Sequence, residues 1–201
     1  MVRTLVTRLR HEPDPTKGSR FIATAAPVAS EEAARAVLEA LRAEMPDATH
    51  HCAAWRLATP AIERAMDDGE PSGSAGRPIL AQLTGRDLVD VVVVVTRYYG
   101  GTKLGVGGLV RAYGGAAASV LDRADTVRRV ATTTLRLEYG YADGPAVEHA
   151  LARVGVEPGA ATFGAMVQRT VTIAVAERDA VEQALRDATA GRVTLPAAEL
   201  R

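Results

Sequence analysis

Residues Asp90 to Tyr113 read D-VVVVV-TRYYGGTKLGVGGLVRAY, and this stretch decides the fold of the first half of the chain. Its five consecutive valines, Val91 to Val95, are β-branched and predict a strand that is buried on both faces. A glycine-rich loop follows, with glycine at positions 100, 101, 105, 107 and 108. The sequence of residues 106–123, after this loop, predicts a helix. The stretch therefore predicts a strand, a glycine loop and a helix in direct succession.

Such a loop is suited to holding an anion. Backbone N–H groups at a helix N-terminus are unpaired and carry partial positive charge, and glycine lets a ligand approach the backbone closely. We therefore predict an anion-binding surface whose residues are Arg77, Arg97, Lys103, Gly105, Gly107, Gly108 and Arg111. The alternative is that the glycines only turn a tight corner between a buried strand and a close-packed helix. Both interpretations can hold together.

Neither common nucleotide-binding motif is present in this loop. The pattern G-x-x-x-x-G-K-S/T is absent because Lys103 precedes Gly105 and is followed by leucine. The pattern G-x-G-x-x-G is absent because Val110 stands where its last glycine would be. We therefore predict no nucleotide cofactor from this loop.

The composition limits the classes of function. The 24 basic residues balance the 24 acidic ones, so the formal net charge is zero. A non-specific nucleic-acid binder usually has a basic excess, so a nucleic-acid role would need a local patch. Aromatic residues make up 4% of the chain, which disfavours stacking platforms for single strands.

Features that report on the cellular compartment agree with one another. The single cysteine, Cys52, excludes an internal disulfide and suits a reducing compartment. The N-terminal sequence MVRTLVTRLRHEPDP lacks the apolar core of a signal peptide. Apolar runs are far shorter than the roughly 18 residues that a membrane span requires. We expect a cytoplasmic protein without membrane segments.

The first half predicts an α+β domain. Pro27 ends the predicted strand that begins at residue 19, and Ser30 is a predicted helix N-cap followed by two glutamates. Residues 61–78 show no periodicity and are interpreted as an irregular loop that leads into a helix. The remaining predicted strands are 4–9, 19–24, 49–58 and 88–96, with helices from Ser30 to Pro46, at 78–84 and at 106–123.

The second half has the order β-α-β-β-α-β, which is the ferredoxin-like unit. The predicted strands are 132–139, 157–163, 165–176 and 192–196, and the predicted helices are 144–154 and 177–190. Residues 125–130 are interpreted as a linker. The sequence therefore predicts two α+β domains, 1–126 and 127–201.

Two polar segments are candidates for chemistry. His50-His51-Cys52 contains zinc-ligand types, but neighbouring strand residues point to opposite faces, so we predict structural histidines, a buried thiol and no metal site.

The second segment runs from residue 67 to 78. Its carboxylates could act as acids and bases or hold Mg²⁺, or could be solvated surface. We name as a candidate functional loop the residues His51, Asp67, Asp68, Glu70, Ser72 and Ser74. Ser72 lies in no G-x-S-x-G elbow, so no catalytic residue is assigned.

Several segments together resemble the YigZ/Impact family. They are Lys17 to Ile22, Asp47 to Trp55, Asp67 to Pro78 and Arg97 to Tyr113, and the resemblance covers residues 1 to about 125. The remainder is similar to the small C-terminal domain of the bacterial YigZ branch. Two positions depart from the family pattern: Ser74 replaces a threonine, and Val106 replaces a small polar residue.

The resemblance carries expectations for fold and function. It implies an N-terminal β-α-β domain like the second domain of ribosomal protein S-five, followed by a ferredoxin-like domain. It also implies a translation-linked role, because eukaryotic members regulate translation under amino-acid stress. For the bacterial branch, the implied partners are RNA or a ribosome-associated protein.

Three hypotheses follow. The favoured ones are a non-catalytic RNA- or ribosome-binding protein that uses the cationic glycine loop, and a protein-interaction module that docks a translation factor through the same loops. The alternative is a small-molecule or nucleotide-handling enzyme that uses the acidic loop 67–70. We favour the first two because no nucleophile–base pair, metal cage or cofactor fingerprint can be completed from these residues.

Overall fold

The valine run forms the centre of a five-stranded sheet. In the computed structural model, which describes residues 1–195, the first compact unit spans Met1–Arg129. Its strands are β1 (Val2–Leu5), β2 (Leu9–His11), β3 (Arg20–Pro27), β4 (His50–Leu57), β5 (Ile62–Met66), β6 (Val91–Tyr98) and β7 (Thr126–Arg129), and its helices are α1 (Glu31–Glu44), α2 (Gly76–Gly85) and α3 (Gly105–Leu121). The large sheet has the order β2-β3-β6-β4-β5 with every neighbouring pair antiparallel. All five valines are fully buried, which confirms the predicted central strand.

Helices cover both faces of this sheet. Val92 and Val94 point towards α1 and pack with Trp55. Val91, Val93 and Val95 point the other way, into a core shared with α2 and α3. Strands β3 and β4 are both antiparallel to β6, which lies between them, so they run parallel to each other and α1 connects them. This is the predicted β-α-β arrangement. Ser30 caps α1 as predicted, its Oγ accepting from the Ala33 N–H at 3.1 Å.

Three local predictions for this unit are wrong. Residues 62–66 are not irregular, because they pair with β4 and form an edge strand of the sheet. The predicted strand 4–9 is instead the end of β1 and the start of β2, which belong to different sheets. Residues 126–129 are not a linker, since β7 pairs antiparallel with β1 from Val2↔Arg129 to Leu5↔Thr126. The first unit therefore continues to residue 129.

The second unit, described from residue 130 to 195, is ferredoxin-like as predicted. Its elements are β8 (Thr132–Tyr139), α4 (Gly144–Arg153), β9 (Ala161–Phe163), β10 (Val167–Ala174) and α5 (Arg178–Ala188). The sheet order is β8-β10-β9, all antiparallel, and helices α4 and α5 pack with it around Leu137, Leu151 and Leu185. Of the predicted last strand, the structure describes one bridge, between Thr194 and Glu138 on β8. Residue 196 of that strand lies outside the described residues. Within residues 1–195, no helix has both the length and the apolar character that a membrane crossing needs.

Candidate functional site

Two tight loops meet at the end of β6. Thr16 and Ser19 exchange backbone hydrogen bonds of 2.9 and 3.0 Å, so Lys17 and Gly18 form the tip of a turn. A Cβ atom on Gly100 would overlap the Gly18 carbonyl carbon, so glycine at position 100 is required by this close approach. The Ser19 Oγ also accepts a hydrogen bond from the Gly100 N–H at 3.2 Å. The turn and the glycine loop are therefore held together by backbone contact.

The glycine loop opens into helix α3 without a side-chain cap. Gly105, the first residue of α3, has φ +70°, a conformation that favours glycine. Leu104 at the N-cap position makes no capping hydrogen bond, and the first turn contains no acidic residue. Gly107 and Gly108 follow in that turn. The first N–H groups of the helix are therefore not occupied by a side chain of the cap.

Three of the predicted cations are exposed, and two of them lie at the glycine loop and its helix. Lys103 lies in the loop, Arg111 lies on α3, and Arg77 lies at the start of α2. The Arg111 Nη1 is 3.7 Å from the position that a Cβ atom would take on Gly107, so this guanidinium lies over the first turn. The ion pairs found in residues 1–195 include none of these three cations. We call Lys103 and Arg111, with Gly105, Gly107 and Gly108, the cationic surface; Arg77 lies on α2 beside the acidic loop.

Arg97 belongs to the interior rather than to this surface. Its Nη1 donates to Glu70 Oε1 at 2.6 Å, and the two side chains are only 6% and 4% exposed. Its Nη2 donates to Ser19 Oγ at 3.2 Å. The guanidinium also lies 5.4 Å from the ring centre of Tyr99. Arg97 was predicted to contact an external anion, but its burial and its internal carboxylate partner assign it to fixing the end of β6.

Glu70 connects the acidic loop to the glycine loop. Besides Arg97, its Oε1 accepts a hydrogen bond from the Tyr113 hydroxyl on α3 at 2.7 Å. The His50 Nε2 lies 3.8 Å from the same oxygen. The structure therefore brings the two predicted loops together, through a buried carboxylate.

Asp67 organises the backbone of the acidic loop. Its carboxylate accepts hydrogen bonds from the N–H groups of Gly73 at 2.7 Å, Gly76 at 2.8 Å and Ala75 at 3.0 Å. Burial acts to raise the pKa of Asp67, but these three hydrogen bonds, together with nearby Arg77, outweigh it and leave the pKa below its ordinary value. Asp67 therefore holds the start of α2 as a charged acceptor.

Asp68 and His51 are engaged on the other side of this loop. The Asp68 carboxylate accepts from the His51 N–H at 2.6 Å and pairs with Arg42 at 2.7 Å. His51 lies buried on the α1 face, while His50 lies on the face of Arg97, so the predicted opposite orientation is confirmed. Burial lowers the pKa of His51, and Asp68 opposes that shift.

The remaining nucleophile-type residues are poorly placed for catalysis. Cys52 is fully buried and donates to the Asp67 carbonyl at 3.0 Å. Burial raises the pKa of this thiol to about 12, so the thiolate is scarce at neutral pH. Ser74 is also fully buried, and Ser72 is exposed. Within residues 1–195, no group of three or more His, Cys, Asp or Glu side chains is arranged to hold a metal ion.

Sequence reasoning missed residues that complete the site. Lys17 is exposed at the tip of the turn that touches the glycine loop. Ser19 binds both loops, and Tyr113 ties α3 to Glu70. The signal for Lys17 was its position beside Gly18 between two predicted strands, which is typical of a hairpin tip.

Comparison with known proteins identifies the family. The Impact N-terminal domain family profile matches residues 17–121. An IMPACT family member of Haemophilus influenzae is 34% identical over 187 residues, which is 92% of this chain and 91% of that protein. The IMPACT family member YigZ of Escherichia coli is 48% identical over 128 residues, which is 61% of this chain and 63% of that protein. The chain belongs to the YigZ/Impact family, as the sequence motifs predicted.

A solved structure extends the similarity to both units. A crystal structure of a hypothetical protein is 35% identical to this chain, with a TM-score of 0.70. The alignment covers 100% of this chain and 98% of that one. The two-unit α+β fold is therefore shared with an experimentally solved protein. By contrast, the matched segment spans less than two thirds of the E. coli relative.

Proposed function

We propose that this protein binds the phosphate backbone of RNA, in a ribosomal or other translation-linked setting, and that it does so without catalysis. The observation that carries the proposal is the cationic surface, in which Lys103 and Arg111, exposed and in no ion pair found in residues 1–195, lie at an uncapped, glycine-rich helix start. Exposed cations and open backbone N–H groups are the groups that proteins use to contact phosphate.

Family membership supports the translation-linked part of the proposal. The resemblance to the YigZ/Impact family implies such a role, because its eukaryotic members regulate translation. Zero net charge does not oppose it, since the cationic surface supplies a local excess of positive charge. The enzyme alternative lacks comparable support, because each carboxylate of the acidic loop is already bound to protein groups.

A second candidate function is docking of a protein partner at the same place. Exposed apolar side chains lie beside the cations: Tyr99 is 45% exposed, Val106 58% and Val110 39%. Aromatic residues and arginine are enriched at protein interfaces, so this surface could also accept a protein partner. Replacing Val106 with serine distinguishes the two functions, since it should weaken a protein complex and leave RNA binding unchanged.

The test is binding of fluorescent RNA and of purified ribosomes, titrated from low to moderate salt. The variants Lys103→Ala and Arg111→Ala should each weaken binding several-fold and lower the salt slope by about 0.7, the value for one lost contact to a single strand. Arg35→Ala is the matched control, because Arg35 is an exposed cation on α1, which covers the opposite face of the sheet.

This experiment has a clear contrary result. Binding that does not depend on salt, or an equal loss in the Arg35→Ala variant, would show that the cationic surface is not the phosphate contact.

A further inference from the structure

A depression of about 180 Å³ lies between the Lys17 turn and helix α3. Its lining residues are Thr16, Lys17, Leu104, Gly108, Arg111 and Ala112. Two of them are cations, and none is a carboxylate. The lining extends from Leu104 at the N-cap to Ala112 in the second turn, so the depression lies along the side of the first two turns of α3.

Lys17 reaches this depression from an unusual backbone conformation. It has φ +47°, and Gly18 after it has φ +82°, so both central residues of the two-residue turn are left-handed. Turns of this kind favour asparagine, aspartate and glycine at the first central position, and a lysine there is disfavoured. The turn nevertheless has its lysine side chain at the tip, and contact of Gly18 with Gly100 fixes the turn in place. The backbone that carries the Lys17 side chain is therefore held against the glycine loop.

Arg111 supplies the second cation of the depression. It is exposed and takes part in no ion pair found in residues 1–195. Between Lys17 and Arg111 the lining is small or apolar, formed by Gly108, Ala112 and Leu104. Two cations that share a concave site without a carboxylate are electrostatically unfavourable when the site is empty, and an anion relieves this repulsion. The Thr16 hydroxyl can add a neutral hydrogen bond to the same anion.

We propose that this depression binds one phosphate group between Lys17 and Arg111. The phosphate can belong to an RNA backbone or to a free phosphate ester such as a mononucleotide, because both present the same charged oxygens. The RNA source rests on the function proposed above, whereas the free-ester source does not. In either case, the depression between Lys17 and Arg111 gives one phosphate group a defined binding position.

The test uses the full chain labelled with ¹⁵N and follows backbone amide shifts during titration with three probes. The probes are inorganic phosphate, AMP and a short single-stranded RNA. Saturable shifts are expected at Thr16, Lys17, Gly18 and the amides around Arg111. The key variant is Lys17→Gly, which removes the ammonium while glycine adopts the same positive φ without strain. Its melting temperature should equal or exceed that of the wild type, and its phosphate affinity should fall about tenfold, as for one lost charge-assisted hydrogen bond.

Arg35→Ala is the matched control, because it loses the same charge on α1, outside the lining of the depression. It should retain the shifts at Thr16 and Gly18. Saturable binding of phosphate and AMP that depends on Lys17 supports a general phosphate site. A Lys17-dependent response to RNA alone assigns the site to the RNA backbone. Phosphate binding without any RNA binding refutes the function proposed above and leaves this site standing. If Lys17→Gly binds all probes as tightly as the wild type, or if no probe binds at the depression, the inference is overturned.

Discussion

Replacing Glu70 with alanine should destabilise the first unit more than any comparable surface change. The Glu70 carboxylate is the only carboxylate paired with Arg97 among the ion pairs found in residues 1–195, and both side chains are almost fully buried. Without it, the guanidinium keeps one hydrogen bond to Ser19, and its Nε has no partner among the described residues. The Tyr113 hydroxyl loses its acceptor as well.

The expected cost follows from these contacts. Removing one partner of a buried ion pair typically costs about 3–5 kcal/mol, because an uncompensated charge stays buried. Domains of this size are stable by roughly 5–15 kcal/mol, so the change removes a large part of the total. With a urea slope of about 2 kcal/mol/M, the unfolding midpoint should fall by roughly 1.5–2.5 M. Glu70→Gln keeps one acceptor oxygen for Arg97 or Tyr113 but removes the charge, so it should cost less than Glu70→Ala and still destabilise the unit.

Tryptophan fluorescence during urea unfolding measures this directly. The chain has one tryptophan, Trp55, which is fully buried in β4, so its signal reports on the first unit without contribution from the second. Glu12→Ala is the matched control, because Glu12 pairs with Arg20 at 2.7 Å while the two side chains are 37% and 51% exposed. That variant should cost no more than about 1 kcal/mol.

Two results would refute the reasoning. Equal midpoint shifts for Glu70→Ala and Glu12→Ala would show that the inner pair is effectively solvated. A double variant, Glu70→Ala with Arg97→Ala, should cost less than the sum of the two single changes, since it removes the stranded charge. Strict additivity would show that the two residues do not interact.

Three further predictions concern the same unit. Asp67 has a lowered pKa in the folded state, so its stabilising effect is complete above about pH 4 and is lost as the pH falls through the folded pKa. Asp67→Asn should lower the free energy of unfolding by about 1–3 kcal/mol at pH 7. In urea titrations at a series of acidic pH values, the stability of this variant should fall less steeply than that of the wild type. Cys52, whose thiol pKa burial raises to about 12, should resist iodoacetamide at pH 8 until urea unfolds the protein, and rapid alkylation of the native chain, followed by mass spectrometry, would contradict its burial. Gly100→Ala should destabilise the unit because its Cβ atom would overlap Gly18, whereas Gly115→Ala, inside α3 with open space around it, should stabilise it by about 0.5–1 kcal/mol; circular dichroism melting curves of both variants provide the comparison.

Long periodic segments could be predicted from the sequence because their burial pattern is local. The valine run marked the central strand, and β8 has the predicted bounds 132–139. The helix starting after Ser30 was marked by its cap and by acidic residues in its first turn. Each of these signals lies within about one turn or one strand of the feature that it predicts.

The missed strands lack such a local signal. β5 has the sequence IERAM, and three of its five residues are exposed, so only its pairing with β4 makes it a strand. β7 contains tandem arginines and is likewise defined by a partner far away in the sequence, β1. Pairing between distant segments cannot be inferred from the composition of either segment alone.

The placement of Arg97 was partly predictable. Arg97 follows Val91, Val93 and Val95 at intervals of two residues along β6, so its side chain belongs to the face covered by α2 and α3. The charge of Arg97 favoured an exposed position, whereas its place in the alternation of β6 favoured burial. The outcome was decided by Glu70, which comes 27 residues earlier and supplies the buried counter-charge. Because that contact depends on how the acidic loop folds over the sheet, the sequence pattern did not reveal it.

The pairing of β1 with β7 has a consequence for folding during synthesis. Val2 and its partner Arg129 are separated by almost the whole first unit, so β1 leaves the ribosome long before its partner strand exists. The five-stranded sheet can assemble earlier, because all its strands precede residue 99. Closure of the β1–β7 ribbon is therefore a late step that waits for translation to pass residue 129. Until then Leu5, which is fully buried in the finished unit, lacks its strand partner Thr126.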